Sequence, residues 1–249
     1  MEIVIICAIG VGGATMLGAV VGFLFRGITH KCSDAVLSFA AGVSFAAAVL
    51  GLIIPSLEYG GKYSLIVTVI GIFSGAVCVN LLDRAVPFAH KFVGLGSAEG
   101  IDGRGRKILV FVMAIAIHNL PEGIAAGVGF GSEDISAGIL IALGIAIQNV
   151  PEGMVIIAPM LSVGISGGRT LVCALATGLV EVIGTFIGYY AVTLAEAVLP
   201  FSLAFAGGTM LYVVSDDMIP ETHSHGNEHA ATYALLLGFC LMLAFSVLL

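Results

Sequence analysis

Residues 145–153 read IAIQNVPEG, and thirty positions earlier residues 115–123 read IAIHNLPEG. Each phrase sets amide, carboxylate and, in the first copy, imidazole side chains in the middle of an apolar run, about 108–130 in one case and 136–160 in the other. A run of about 20 apolar residues matches the ~30 Å hydrocarbon core of a bilayer, and its centre is the depth where ionisable groups cost most. Duplicated polar groups at that depth point to a site, and the runs that carry them point to membrane helices.

The rest of the chain agrees. Of 249 residues, 59% are hydrophobic and 10% charged, and 34 glycines are scattered without a fixed period, a composition that points to a membrane protein rather than a soluble or nucleic-acid-binding domain. Eight runs are long enough to cross, at roughly 3–25, 35–55, 64–83, 108–130, 136–160, 170–192, 200–219 and 230–248. The predicted fold is all-α: a single domain over 1–249, a multi-pass bundle of eight transmembrane helices in the cell membrane. The first run opens with Met1 and Glu2, lacks a basic flank and exceeds the length of a signal-peptide core, so it reads as a span.

Arg26, Lys31, Arg84, Lys91, Arg104, Arg106, Lys107 and Arg169 fall in the connections after spans one, three, five and seven, whereas the opposite side holds Lys62 alone. The positive-inside bias puts those connections in the cytoplasm and both termini outside it. The longest connection, 84–107, holds Pro87 and the glycine-rich GLGSAEGIDGRGR, and is predicted to be a cytoplasmic loop. Cys7, Cys32, Cys78, Cys173 and Cys240 are odd in number and form no CxxC, and read as small packing residues.

On a helix, His118 and Glu122 are separated by four residues and Asn119 and Glu122 by three, so the three share one arc, as do Gln148, Asn149 and Glu152. Pro121 and Pro151 lack the N–H that would bind the carbonyls of Ile117 and Ile147, which predicts locally opened helices. Freed backbone groups at this depth are tolerated where protein or a watery cavity satisfies them. The connection at about Gly131–Ile135 is short, so the two helices should be antiparallel neighbours with both polar arcs ~15–18 Å deep. Related helices crossing in opposite senses at matched polar turns predict inverted pseudo-symmetry, a transporter trait.

Glu122 and Glu152 facing one another would bear like charges in low dielectric, and need a shared proton or a cation between them. The imidazole of His118 suits Zn, Fe, Cu and Ni, and the carboxylate and amide oxygens widen the range to Mn and Co. Glu181, in GLVEVIG near the middle of span six, is a third carboxylate that completes the set. Asp216, Asp217, Glu221, His223 and His225 crowd the cytoplasmic end of span seven and the turn after it, where they are candidates for an exit pathway; an ordinary solvated turn is the alternative for the histidines.

With these motifs the chain resembles the ZIP (Zrt/Irt-like) divalent metal transporters. HNLPEG and QNVPEG are similar to that family's transport-site motifs, as are GLVEVIG and VVSDDMIPETH to other family segments, so the likeness covers the chain from about Phe39 onward. It implies eight spans, termini outside the cytoplasm, a homodimer, and uptake of divalent transition metal into the cytoplasm, Zn2+ foremost with Cd2+, Fe2+, Mn2+ and Co2+ in range. It further implies two metal positions on helices four, five and six: one at His118, Glu122, Gln148 and Glu152, the other at Asn119, Asn149 and Glu181, bridged by Glu122 and Glu152. Gln148 places the chain nearer the branch with Gln in the second motif. Ser44 in AAGVSFAAA stands where some relatives carry a metal-contacting Met, and Asn149 where some carry Asp.

Two other classes fit parts of the sequence. An intramembrane metal-dependent hydrolase would want HExxH or a comparable pair with a base, which the chain lacks, and Ser166 in GISGG falls in a predicted cytoplasmic connection, far in depth from His118. A passive metal channel would use the same residues as a carrier.

Overall fold

The computed structural model describes residues 1–24, 29–92, 119–130, 135–162, 165–194 and 196–248, and among these there are helices and turns but no strand. Helix α1 is Glu2–Leu24. Helix α2 starts at His30–Ala46, widens into a π-helical stretch at Ala47–Ile53 and ends as Ile54–Tyr59. Helix α3 is Ser64–Phe92, α4 covers residues 119–129, α5 is Ile135–Ser162 and α6 is Gly167–Leu194. Helix α7 runs Leu199–Val213, passes through a second π-helical stretch at Val214–Met218 and ends as Ile219–Thr222, and α8 is Glu228–Leu248.

Six of these helices are each long and apolar enough to cross a bilayer, over Glu2–Leu24, Lys31–Tyr59, Gly61–Leu82, Ile135–Met154, Gly167–Thr193 and Glu228–Leu248. The molecule is thus a polytopic membrane bundle. The predicted run 108–130 is described only from Asn119 onward. The composite α7 carries Asp216, Asp217 and Glu221 near its end, which dilutes its apolar character. Large hydrophobic side chains such as Ile6, Phe73, Leu65 and Val247 lie exposed on the outer faces, as expected where the surrounding solvent is lipid.

Sequence and structure differ in two places. The third helix does not stop at residue 83 but continues through Pro87 to Phe92, so the first part of the predicted 84–107 loop is helical; a charged, water-facing end can extend a helix beyond the hydrocarbon without breaking its hydrogen bonds. The remainder of that loop lies outside the described residues. The second difference is that the opening expected at Pro151 is not seen as a break or a widened turn, since α5 is continuous through it; the turn ahead of Pro121 lies outside the described residues. The widened stretches belong instead to α2 and α7, each followed by Ile and then Pro, at Ile54-Pro55 and Ile219-Pro220. A proline ring clashes with the carbonyl four residues earlier, and the looser turn just before it accommodates that carbonyl.

The helices associate in close pairs. Helix α1 packs on α5 and α6, α3 on α7, and α2 on α8, while α4 meets α6 through Gly123, Gly127 and Gly188. Exchanging α1 with α6, α2 with α7, α3 with α8 and α4 with α5 returns the same set of pairs. For these five pairs, that is the pairing an inverted repeat of the kind expected from the duplicated motif would give. Close approach rests on glycine: a Cβ at Gly42 would lie 1.9 Å from the carbonyl oxygen of Leu235, and one at Gly18 2.0 Å from that of Val150. Lipid gives no hydrophobic drive for helices to associate, so tight van der Waals contact through small residues supplies it.

Candidate metal centre

The last glycine of each repeated phrase fixes where its helix meets a neighbour. A Cβ at Gly123 would fall 2.2 Å from the carbonyl oxygen of Glu181 on α6, and one at Gly153 2.1 Å from that of Thr15 on α1. Glu122 and Glu152, the residues just before these glycines, are thereby held at the junction of α1, α4, α5 and α6. Asn119, Glu122, Gln148, Asn149 and Glu181 are all buried, the last three completely, and Glu152 is half-buried. Glu122 lies within electrostatic reach of both Glu152 and Glu181.

Two hydrogen-bonded groups organise the junction. In the first, Glu181 is the acceptor: its Oε1 receives Thr15 Oγ1 at 2.7 Å and Asn119 Nδ2 at 2.5 Å, and its Oε2 receives Asn149 Nδ2 at 2.5 Å. Asn149 Nδ2 also donates to the carbonyl oxygen of Val11 at 3.1 Å. Both amides present nitrogen to this carboxylate, as an ionised acceptor requires, because an amide oxygen has no proton to give it. In the second group, the Ser44 hydroxyl donates to Gln148 Oε1, and Gln148 Nε2 donates to Glu122 Oε1 at 2.5 Å. A chain of polar contacts therefore runs from α2 through α5 to α4.

What these bonds leave over is informative. Asn119 Oδ1, Asn149 Oδ1 and Glu122 Oε2 are buried and have no hydrogen-bond partner. Burying such an acceptor unpaired costs about 1–3 kcal/mol, more when it is charged, so three in one junction amount to a substantial unmet demand for a donor or a cation. Carboxylate and amide oxygens are the donors that divalent cations of intermediate to hard character accept. His118 lies outside the described residues. Among the described residues no group of three His, Cys, Asp or Glu side chains could hold an ion, so the donor set on view is mixed carboxylate and amide oxygen.

The residues expected near the cytoplasmic end form a separate cluster. Asp216, Asp217 and Glu221 are exposed at the end of α7. His223 is turned onto its own backbone, with Nδ1 2.9 Å from the carbonyl oxygen of Ile219 and Nε2 3.3 Å from Thr232 Oγ1. His225 Nδ1 lies 3.0 Å from Asp34 Oδ1, and Asn227 Nδ2 donates to Asp34 Oδ2 at 3.0 Å. This clasp ties the turn between α7 and α8 to the start of α2. All five cysteines are free thiols. Asn80 Nδ2 donates to Tyr212 Oη at 2.7 Å, joining α3 to α7.

Three participants were missed from sequence: Thr15, the Val11 carbonyl and Asp34. Thr15 sits in VGGATMLGA, a small-residue stretch whose only visible signal is one hydroxyl among glycines and alanines. A backbone carbonyl has no sequence signal at all. Asp34 was legible as a carboxylate at the edge of an apolar run, but not its partners 191 and 193 residues away. Ser166, weighed as a nucleophile, is exposed and offers its carbonyl to Thr170 N at 3.0 Å at the start of α6.

Residues 94–246 match the family model described as ZIP Zinc transporter. Over 239 residues the chain is 36% identical to Zinc transporter GufA of Myxococcus xanthus, covering 93% of each. It is 36% identical over 242 residues to Zinc transporter ZIPB of Bordetella bronchiseptica, covering 92% of this chain and 76% of that protein. Zinc transporter ZupT of Chlorobaculum parvum is 33% identical over 253 residues, with 96% and 94% covered.

Proposed function

Because the chain belongs to the ZIP zinc transporter family, a family of membrane metal transporters rather than enzymes, we propose that it carries Zn2+ into the cytoplasm through the junction of α4, α5 and α6. Cd2+, Fe2+, Mn2+ and Co2+ lie within the chemical range of the same donors. The single observation that carries this reading is the set of three unpartnered buried oxygens, Asn119 Oδ1, Asn149 Oδ1 and Glu122 Oε2. An ion entering the junction sheds water, and these atoms replace the lost oxygen ligands without first breaking a protein hydrogen bond.

His118, Glu122, Gln148 and Glu152 would hold one ion, and Asn119, Asn149 and Glu181 a second, with Glu122 and Glu152 between them. Asn149 brings no charge, so the second position binds more weakly than an all-carboxylate one. Ser44 supplies no soft donor, and Gln148 is a poorer zinc ligand than imidazole, so selectivity among the divalent ions is broad. Eight spans with both termini outside the cytoplasm complete the reading, supported by the distribution of Lys and Arg.

Proteoliposome uptake of labelled zinc tests the site. Glu122→Ala with Glu152→Ala removes both carboxylates of the repeated motif and is expected to abolish uptake; a double variant that transports at the normal rate would exclude this junction. Saturation at micromolar metal, together with a response to an opposing gradient, separates a carrier from a passive channel.

A further inference from the structure

Threonines buried in a helix ordinarily turn the hydroxyl back onto a carbonyl three or four residues earlier, and Thr170, Thr177, Thr185 and Thr209 all do so. Thr15 is built differently. Its hydroxyl crosses from α1 to α6 and donates to Glu181 Oε1. The carbonyl it might have used, four residues earlier at Val11, instead accepts Asn149 Nδ2 from α5. Helix α1 thus gives one donor to the acid of α6 and one acceptor to the amide of α5, at the point where its backbone touches both neighbours: Gly12 lies against Gly178, and the Thr15 carbonyl against Gly153.

The consequence reaches the free oxygens. Glu181 Oε1 is shared by Thr15 and Asn119, and Oε2 is taken by Asn149. Thr15 adds a third donor to the two amides, from a helix held by backbone contact, and so narrows the rotation of this carboxylate about its terminal bond. With its plane so held, both asparagines can bind it by nitrogen at once, and each amide oxygen must then point away from Glu181. Those two oxygens are among the buried atoms without a partner.

We infer that Thr15 is a positioning residue of the transport site: by donating to Glu181 Oε1 it holds the carboxylate in the plane that lets Asn119 and Asn149 bind through nitrogen and offer their oxygens to the ion. This rests on the reading of the junction as the transport site. Thr15 touches no metal in this scheme; it acts through Glu181 and the two amides. The hydroxyl is not needed for the helix contact, which is made by backbone atoms and glycines.

The experiment is a zinc concentration series in proteoliposomes, with correct assembly checked by a single symmetric elution peak in detergent. Thr15→Val keeps the side-chain volume and removes the donor. Losing a hydrogen bond to a charged acceptor predicts a rise of about tenfold or more in the apparent KM for zinc, with the maximal rate within about twofold. Thr15→Ser restores the donor and is expected to bring KM back to within about twofold of the unaltered protein. Should Thr15→Val fail to assemble, Thr15→Ala carries the same expectation in a helix already rich in small residues at this level. The inference is overturned if the Val or Ala variant has an unaltered KM, if only the maximal rate falls, or if Ser is impaired as severely as Val. Glu122→Ala with Glu152→Ala in the same liposomes keeps the two levels apart: if that double variant is inactive while Thr15→Val is normal, only the role of Thr15 fails, and if the double variant transports, the site itself is wrong.

Discussion

The junction that holds the polar residues and the seam where α2 meets α5 are both buried, but they are built from opposite materials. At the junction, α1, α4, α5 and α6 touch backbone on backbone, with glycines at 12, 123, 153 and 178 set against carbonyl oxygens. Along the seam the contacts are aliphatic: Gly51 faces the side chain of Ile141, and Gly144 faces the terminal methyl of Met242 and the Cβ of Ala47. A polar tie from Ser44 to Gln148 crosses it. A glycine seated on a peptide oxygen defines a single depth, because a shift along the axis drives the next side chain into the backbone. Aliphatic ends repack with small rotations, and methionine does so most readily. Any change that exposes the site to one side and then the other would therefore cost least along the α2–α5 seam.

The largest expected effect follows from placing the same methyl group in both regions. Gly153→Ala would set a Cβ 2.1 Å from the Thr15 carbonyl oxygen, whereas Gly144→Ala would meet the flexible end of Met242 at 2.9 Å and the Cβ of Ala47 at 3.1 Å, a contact that a shift of a few tenths of an ångström relieves. Backbone cannot move aside without separating α5 from α1, so Gly153→Ala is expected to lose nearly all zinc uptake and most of the correctly assembled protein. Gly144→Ala should retain both to within about twofold, the scale of a minor repacking. Elution profile and uptake on one preparation read the pair, and equal damage at the two sites would erase the distinction between junction and seam.

The next effect concerns the tie across the seam. Ser44 is 2% exposed and lies in a run of alanines, so Ser44→Ala fits the space and deletes only the donor to Gln148. Gln148 then no longer holds Glu122 Oε1 in a fixed direction. The apparent KM for zinc is expected to rise by ~2–10-fold, the worth of one neutral hydrogen bond, with assembly unchanged. A KM that stays put would mean that the tie does not orient the site.

The contrast also explains what sequence could reveal. The duplicated HNLPEG and QNVPEG phrases exposed the buried carboxylates and amides directly, because ionisable groups in the middle of an apolar run are costly and persist there when they bind something. Apolar run length located the helices, since a bilayer fixes how long they must be. The helix pairing was not legible: Gly42, Gly75 and Gly153 look alike in a chain with 34 glycines, and only three dimensions show which carbonyl each one meets. The π-helical stretches escaped for a related reason. Pro55, Pro151 and Pro220 all lie within apolar helices, yet among the described residues the axis widens ahead of the first and last and not ahead of Pro151. Thr15 was invisible because its role depends on a residue 166 positions away.

The smallest effect lies outside both regions, and it bounds how far the polar network extends. Asp34 is 4% exposed and takes His225 on one oxygen and Asn227 on the other. The clasp resembles the collar around Glu181 in form, a carboxylate held at both oxygens, but the His225 side chain is 34% exposed to its surroundings. Water reaches the imidazole side of the pair and takes its place at Asp34 Oδ1 when the ring is removed, which limits the loss although Asp34 is itself buried. His225→Ala should therefore lower the thermal midpoint by only ~1–3 °C and leave zinc uptake as it was, since Asn227 continues to hold Asp34 Oδ2. If uptake instead falls several-fold with the midpoint unmoved, His225 handles the ion as it leaves, and the turn after α7 belongs to the transport path rather than to the scaffold.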